Sequence, residues 1–133
     1  MKKILLILLL LLSSCSIGFE SNSNSVASKY DSYIISLDSS FSQSGVYYIY
    51  FFSPYCKACQ SIENDVISKA ELLHIYFINP YDDISFNEDP YASISASSWE
   101  DLSIAGYPTM MFISMHVVDR IYYGTREILS LIK

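Results

Sequence analysis

The pattern of apolar and polar positions divides the chain into three stretches of different character. Residues 4–12 form an unbroken apolar run behind Lys2 and Lys3. Such a run falls short of the ~20 residues of a membrane-spanning helix, and its charged flank marks it as the core of an export signal, so residues 1–14 are expected to lie outside the fold. Residues 15–29, with Ser21-Asn22-Ser23-Asn24-Ser25 at their centre, are polar and without periodicity. That composition predicts a flexible tether spanning on the order of 20 Å, either a leash for a folded domain or a plain spacer. From Tyr30 onward the pattern is that of a folded domain, residues 30–133.

Within that domain, residues 30–37 alternate weakly and suggest a first strand, followed by a polar connection over residues 38–45. Val46-Tyr47-Tyr48-Ile49-Tyr50-Phe51-Phe52 carries β-branched and aromatic residues at every position, as a central strand covered on both faces should. The stripe Ala58, Ile62, Val66 and Ile67 predicts a helix over about residues 57–70, and residues 72–78 a second apolar strand stopped by Asn79-Pro80. Strand, helix and strand at this spacing predict a βαβ unit with parallel strands. Residues 81–98 mix Asp82, Asp83, Glu88 and Asp89 with Pro90 and a run of small residues, which predicts an exposed loop holding at most a short helix, either a partner-contact element or, as the favoured reading, a plain solvated insertion. Ser98 is placed to cap a helix over residues 99–105, with Glu100 and Asp101 in its first turn and Gly106 at its end. Residues 110–114 and 117–123 predict an antiparallel hairpin turning at Met115-His116. A last helix from Thr125 presents Ile128, Leu129 and Ile132 to the sheet.

One hundred and thirty-three residues, 51% of them apolar, suffice for one domain with a core of its own. The net charge of -6 and the lack of any basic run exclude nucleic acid as a partner and electrostatic adhesion to an anionic membrane.

The chemistry sits where the central strand breaks at Ser53-Pro54 and delivers Cys56 and Cys59 to the predicted first turn of the helix. A thiol attacks only as its thiolate, and a helix N-terminus can lower a cysteine pKa from about 8.5 into the range ~3.5–7.5. Cys56 is positioned for most of that field, with Lys57 adding a screened cation. Cys59, one turn on, is positioned to attack a mixed disulfide on Cys56 and release the partner. Cys56 is therefore the expected nucleophile and Cys59 the resolving thiol. A lone C-x-x-C also fits an inert disulfide or half of a zinc site, but zinc wants about four ligands and only His74, His116 and Cys15 remain.

Two resemblances add to this. Leu12-Ser13-Ser14-Cys15 resembles the lipobox of bacterial lipoproteins, which implies that Cys15 is acylated and holds the protein to a membrane of the bacterial cell envelope, facing the periplasm or extracytoplasmic space. Each buried CH₂ of such an anchor contributes about 0.8 kcal/mol. The alternative is an ordinary signal peptide cut near Ser14, with Cys15 a spare thiol. The second resemblance covers nearly all of residues 46–133. Cys56-Lys57-Ala58-Cys59 after the central strand, with Gly106-Tyr107-Pro108-Thr109 before the final hairpin, resembles the thioredoxin superfamily. It implies an α/β thioredoxin fold, a central mixed β-sheet flanked by helices. It further implies a cis bond before Pro108 facing the redox pair, and substrate contacts from Tyr107, Pro108 and Tyr55. No cofactor or metal is implied. More narrowly, Phe52 through Cys59 with Glu63, Val66 and Arg120 resembles small envelope thioredoxin-like proteins of the SoxW type.

The chain departs from thioredoxin at several positions. Tyr50 stands where thioredoxin keeps a buried aspartate, Tyr55 replaces a tryptophan, and Lys57-Ala58 replaces Gly-Pro, so the direction of electron flow does not carry over. Glu63 is either a substitute proton acceptor or an ordinary exposed helix glutamate. The expected activity is thiol-disulfide exchange with partner proteins by a monomer, with reduction favoured because residues 81–98 are too short for an inserted helical domain of the DsbA kind. Two alternatives stand beside it: a non-enzymatic binding module, and a copper-handling assembly factor, which the absence of C-x-x-x-C and the separation of His74 from His116 disfavour.

Overall fold

A computed structural model describes residues 30–133; the expected signal peptide, the tether and Cys15 lie outside the described residues. The architecture is mixed α/β. Strands β1 (Ile34–Ile35), β2 (Tyr47–Phe51), β3 (Ile75–Ile78), β6 (Thr109–Ser114) and β7 (Val117–Tyr123) form one sheet in the order β1-β3-β2-β6-β7. The short strands β4 (Ser85–Phe86) and β5 (Ser103–Ile104) pair in parallel as a second, two-stranded sheet. Helix α1 (Lys57–Leu73) connects β2 to its parallel neighbour β3, and helix α2 (Gly124–Ile132) closes the chain.

The central strand is β2, with β3 parallel on one side and β6 antiparallel on the other. Its side chains alternate between two cores, as the period of two requires. Tyr50, with Phe77 of β3 and Met110 of β6, packs against Ile62, Val66 and Ala70 of α1 and Ile128 and Ile132 of α2. Phe77 is the hub of that layer, with ring centroids 4.9 Å from Tyr30, 5.2 Å from Tyr50 and 5.8 Å from Phe52. On the other face Tyr47, Ile49 and Phe51 join Ile78, Met111 and Ile113 under Leu37, Leu102 and Ile104.

Both helices therefore cover the same face, and among the described residues the expected sheet flanked by helices is flanked by them on one side only. Single 3₁₀ turns (Leu37–Ser39 and Trp99–Asp101) and irregular chain close the other face. The reason is local. Between residues 79 and 91, side chains capture their own backbone: Asn79 accepts from Tyr81 N–H at 3.1 Å, Asn87 from Asp89 N–H at 3.0 Å and Asp89 from Tyr91 N–H at 2.9 Å. Such turns compete with helix formation. Leu102 and Ile104 then bury with strand spacing, so the helix expected over residues 99–105 shrinks to one turn followed by β5. Ser98 caps no backbone N–H there; its hydroxyl meets the Glu100 carboxylate.

Two other boundaries move. A turn in which Tyr33 and Ile34 N–H donate to Tyr30 C=O confines the first strand to Ile34–Ile35. Leu72 and Leu73, expected in the second strand, extend α1 instead, and His74 ends the helix in the left-handed region at φ 54°. The C-terminal hairpin forms as expected, turning through Met115 and His116 at φ 54° and 59°.

Phe77→Ala is expected to lower unfolding free energy by about 3–5 kcal/mol, measurable by urea titration. Met115, exposed in a left-handed turn position, should gain about 1 kcal/mol on replacement by asparagine, and an unchanged denaturation midpoint would refute this account of the turn.

Candidate functional site

Three stretches of chain meet at the carboxyl end of β2. The first is the break after the strand. Cys56 N–H donates to Ser53 C=O at 3.1 Å, closing a turn that sets Cys56 at the N-cap of α1 with extended backbone, φ −85° and ψ 111°. Caps are normally oxygen-bearing side chains that accept a free N–H of the first turn. Here a sulfur does so: Cys59 N–H donates to Cys56 Sγ at 3.1 Å. Gln60 locks the turn from outside, its side-chain amide donating to Pro54 C=O at 2.9 Å.

The second stretch is Gly106-Tyr107-Pro108-Thr109. The Tyr107–Pro108 peptide is cis, the geometry that the resemblance implies. Cys56 Sγ lies 3.8 Å from the Tyr107 carbonyl oxygen, to which its thiol donates. The third stretch is the end of β7, where Gly124 N–H donates to Pro108 C=O at 2.9 Å and fixes the proline loop to the sheet. The structure thus brings Cys56, Cys59, Tyr107 and Pro108 together. Tyr55 stands beside them with 85% of its surface exposed. Cys15 is outside the described residues.

The two thiols, both free, have unlike surroundings. Cys56 is half-buried, whereas Cys59 is only 4% exposed. Burial, and after it the hydrogen bond with Cys56, push the Cys59 thiol up to about 12. Behind it lie Tyr30, Tyr50 and Glu63. The Tyr30 hydroxyl is raised by burial and by its hydrogen bond to Glu63, and Tyr50 by burial and by negative charge on Cys59. The Tyr50 hydroxyl has no hydrogen-bond partner among the described residues. Glu63 is half-buried, so it is not the ordinary exposed helix glutamate that its position allowed. Tyr30 and Tyr50 thus share a core with the inner thiol, and Glu63 lies one helical turn beyond it, hydrogen-bonded to Tyr30.

Phe86 is the residue that sequence reasoning missed. It is 63% exposed in β4, and its ring meets the ring of Tyr107 edge-on at 5.9 Å and 83°. A single phenylalanine among acidic residues was the available signal. The two histidines lie elsewhere: His74 ends α1, at the opposite terminus from Cys56, and His116 bonds Phe41 C=O at 3.1 Å in the hairpin turn. Among the described residues no three His, Cys, Asp or Glu side chains are grouped to hold a metal ion, and no helix is long and apolar enough to cross a membrane. No protein-family model matches the chain, and no curated protein does.

The raised Cys59 thiol makes stability depend on pH in the reduced state. Above the unfolded value near 9.0 the native chain keeps a proton that the unfolded chain loses, so this stabilisation is complete below about pH 9 and is lost as pH rises toward 12. Urea titrations of the reduced protein are expected to show midpoints falling above pH 9, with a shallower fall in Cys59→Ser. Parallel slopes would contradict the assignment.

Proposed function

We propose that the chain is a thiol-disulfide oxidoreductase of the thioredoxin superfamily that acts on partner proteins in the bacterial cell envelope. The observation that carries the proposal is the pairing of an accessible sulfur at a helix N-cap with a buried thiol one turn behind it, opposite the Tyr107 carbonyl of the cis Tyr107–Pro108 peptide. Strand order supports the thioredoxin fold: two parallel strands beside β2 on one side, an antiparallel hairpin on the other, and the cysteines at the β2–α1 junction. Leu12-Ser13-Ser14-Cys15 supports a lipid anchor through Cys15.

In the proposed reduction, Cys56 Sγ attacks one sulfur of a partner disulfide as thiolate. The partner's S–S bond breaks, a Cys56–partner disulfide forms, and the first partner sulfur leaves as a thiolate that takes a proton from solvent. Cys59 then gives up its proton and attacks Cys56 Sγ. The mixed disulfide breaks, the Cys56–Cys59 disulfide forms, and the second partner thiolate departs. Two electrons pass from the pair to the partner, and the reverse sequence oxidises a dithiol.

Two features of the site suit these steps. The Cys59 N–H aimed at Cys56 Sγ meets charge on that sulfur both when it attacks and when it leaves. The high Cys59 pKa keeps the resolving thiol protonated and unreactive until a neighbour takes its proton. Glu63, held by Tyr30 beside Cys59, fills the role of acceptor in place of the missing aspartate.

Cys56→Ser is expected to abolish reduction of an insulin disulfide while leaving the unfolding free energy within about 0.5 kcal/mol of the parent. Cys59→Ser should instead accumulate a mixed disulfide visible by mass spectrometry. A reduction potential near −270 mV would mark a reductase and one nearer −120 mV an oxidant, each about the value of a known representative. Retention of activity by Cys56→Ser would sink the proposal.

A further inference from the structure

We infer that the segment around β4 is a recognition arm: Phe86, beside Tyr107, receives an apolar side chain next to the partner's cysteine, and the acidic residues around it select partners with basic flanks. This inference rests on the proposed thiol exchange and names the substrate class for that site.

Position is the first argument. β5 runs directly into Gly106-Tyr107, and β4 is bound to it by parallel pairing, Ser85 with Ser103 and Phe86 with Ile104, extended by Asn87 N–H donating to Ile104 C=O at 2.9 Å. Ile104 is fully buried, whereas both residues of β4 are exposed. The Phe86 ring therefore stands in solvent against Tyr107, whose own carbonyl touches the Cys56 sulfur. Tyr55, on the other side of Cys56 in sequence, adds a second exposed aromatic. Both rings are therefore open to a segment that docks at Cys56.

Rigidity is the second. Ser93 is buried and ties the arm to β5 twice, donating to Ser103 C=O and accepting from Ser103 N–H, both at 2.8 Å. Tyr91 Oη donates to Glu127 Oε1 at 2.6 Å, while Glu127 Oε2 accepts Tyr123 N–H at 2.7 Å, so the far end of the arm is pinned to α2. An exposed aromatic held in place beforehand loses little conformational freedom when it binds.

Charge decides the occupant. Residues 81–101 hold Asp82, Asp83, Glu88, Asp89, Glu100 and Asp101, and no lysine or arginine occurs between Lys69 and Arg120. Among the described residues, the ion pairs formed are Asp119–Arg120 and Asp65–Lys133, neither of them in the arm. The arm itself thus carries six carboxylates and no cation, and it favours a segment carrying lysine or arginine. The occupant is an extended stretch of a partner protein in which the reducible cysteine is followed or preceded by an aromatic or aliphatic residue and a basic one.

The test uses the full chain, reduced and held in mild detergent, with ten-residue peptides whose one cysteine is disulfide-bonded to glutathione. One peptide carries phenylalanine and lysines, one serine and lysines, and one phenylalanine and glutamates; glutathione disulfide is the reference. At low salt the phenylalanine-lysine peptide should react roughly tenfold faster than the glutamate peptide, with the gap closing as salt rises. It should outpace the serine peptide by about two- to tenfold. Phe86→Ser should erase the second preference, and Asp83→Asn with Glu88→Gln should shrink the first, each scored as the ratio to the reference rate. Equal rates on all three peptides, or preferences untouched by these variants, overturn the inference while leaving thiol exchange standing. A reduced chain inert even toward glutathione disulfide overturns both.

Discussion

The structure depends on one constraint: its middle strand is apolar on both faces and must be covered on both. Tyr50 leads into one core and Ile49 and Phe51 into the other, so neither layer can be removed without exposing β2. A strand so enclosed has little freedom in register, since a slip of one residue would exchange the side chains of the two cores. The end of β2 is thereby a fixed point, and the turn that leaves it inherits that fixity. Cys56 is positioned by the core before any residue of the site acts on it.

From that fixed end the site needs few further devices. A serine carbonyl closes the turn, a sulfur takes the place of the usual capping oxygen, and a carbonyl from the cis-proline loop comes within 3.8 Å of it. The inner thiol differs from the outer chiefly in burial, which is a property of helix register: Cys59 shares the face of Ile62, Val66 and Ala70 that packs on the sheet. One helical turn thus separates an accessible sulfur from one held in its neutral form.

Much of this was legible in the sequence because it is local. The aromatic run of β2, the stripe of α1, the break at Ser53-Pro54 and the two-residue hairpin turn each declare themselves within a dozen residues. What was not legible depends on distant partners. β1 is a strand only where β3 pairs with it, at Ile34 and Ile35, and β4 and β5 exist only because each pairs with the other across sixteen residues of intervening chain. Leu72 and Leu73 are as apolar as the strand after them, and only the left-handed His74 separates helix from strand. Phe86 carried no periodic signal at all, and the hydrogen bond that ties Glu63 to Tyr30 joins residues thirty-three positions apart.

One face of the sheet is closed by two helices and the other by turns, short strands and side chains bonded to nearby backbone. The consequence concerns how such a molecule can change over evolutionary time. A helix constrains every third or fourth residue by its period, so substitutions there disturb packing. The acidic arm has no period to preserve beyond a few anchors such as Ser93 and Leu102, and its exposed positions are free to vary singly. Descendants of this chain could remodel the exposed positions on one side of the molecule, while the cysteine pair at the start of α1 kept its geometry unaltered.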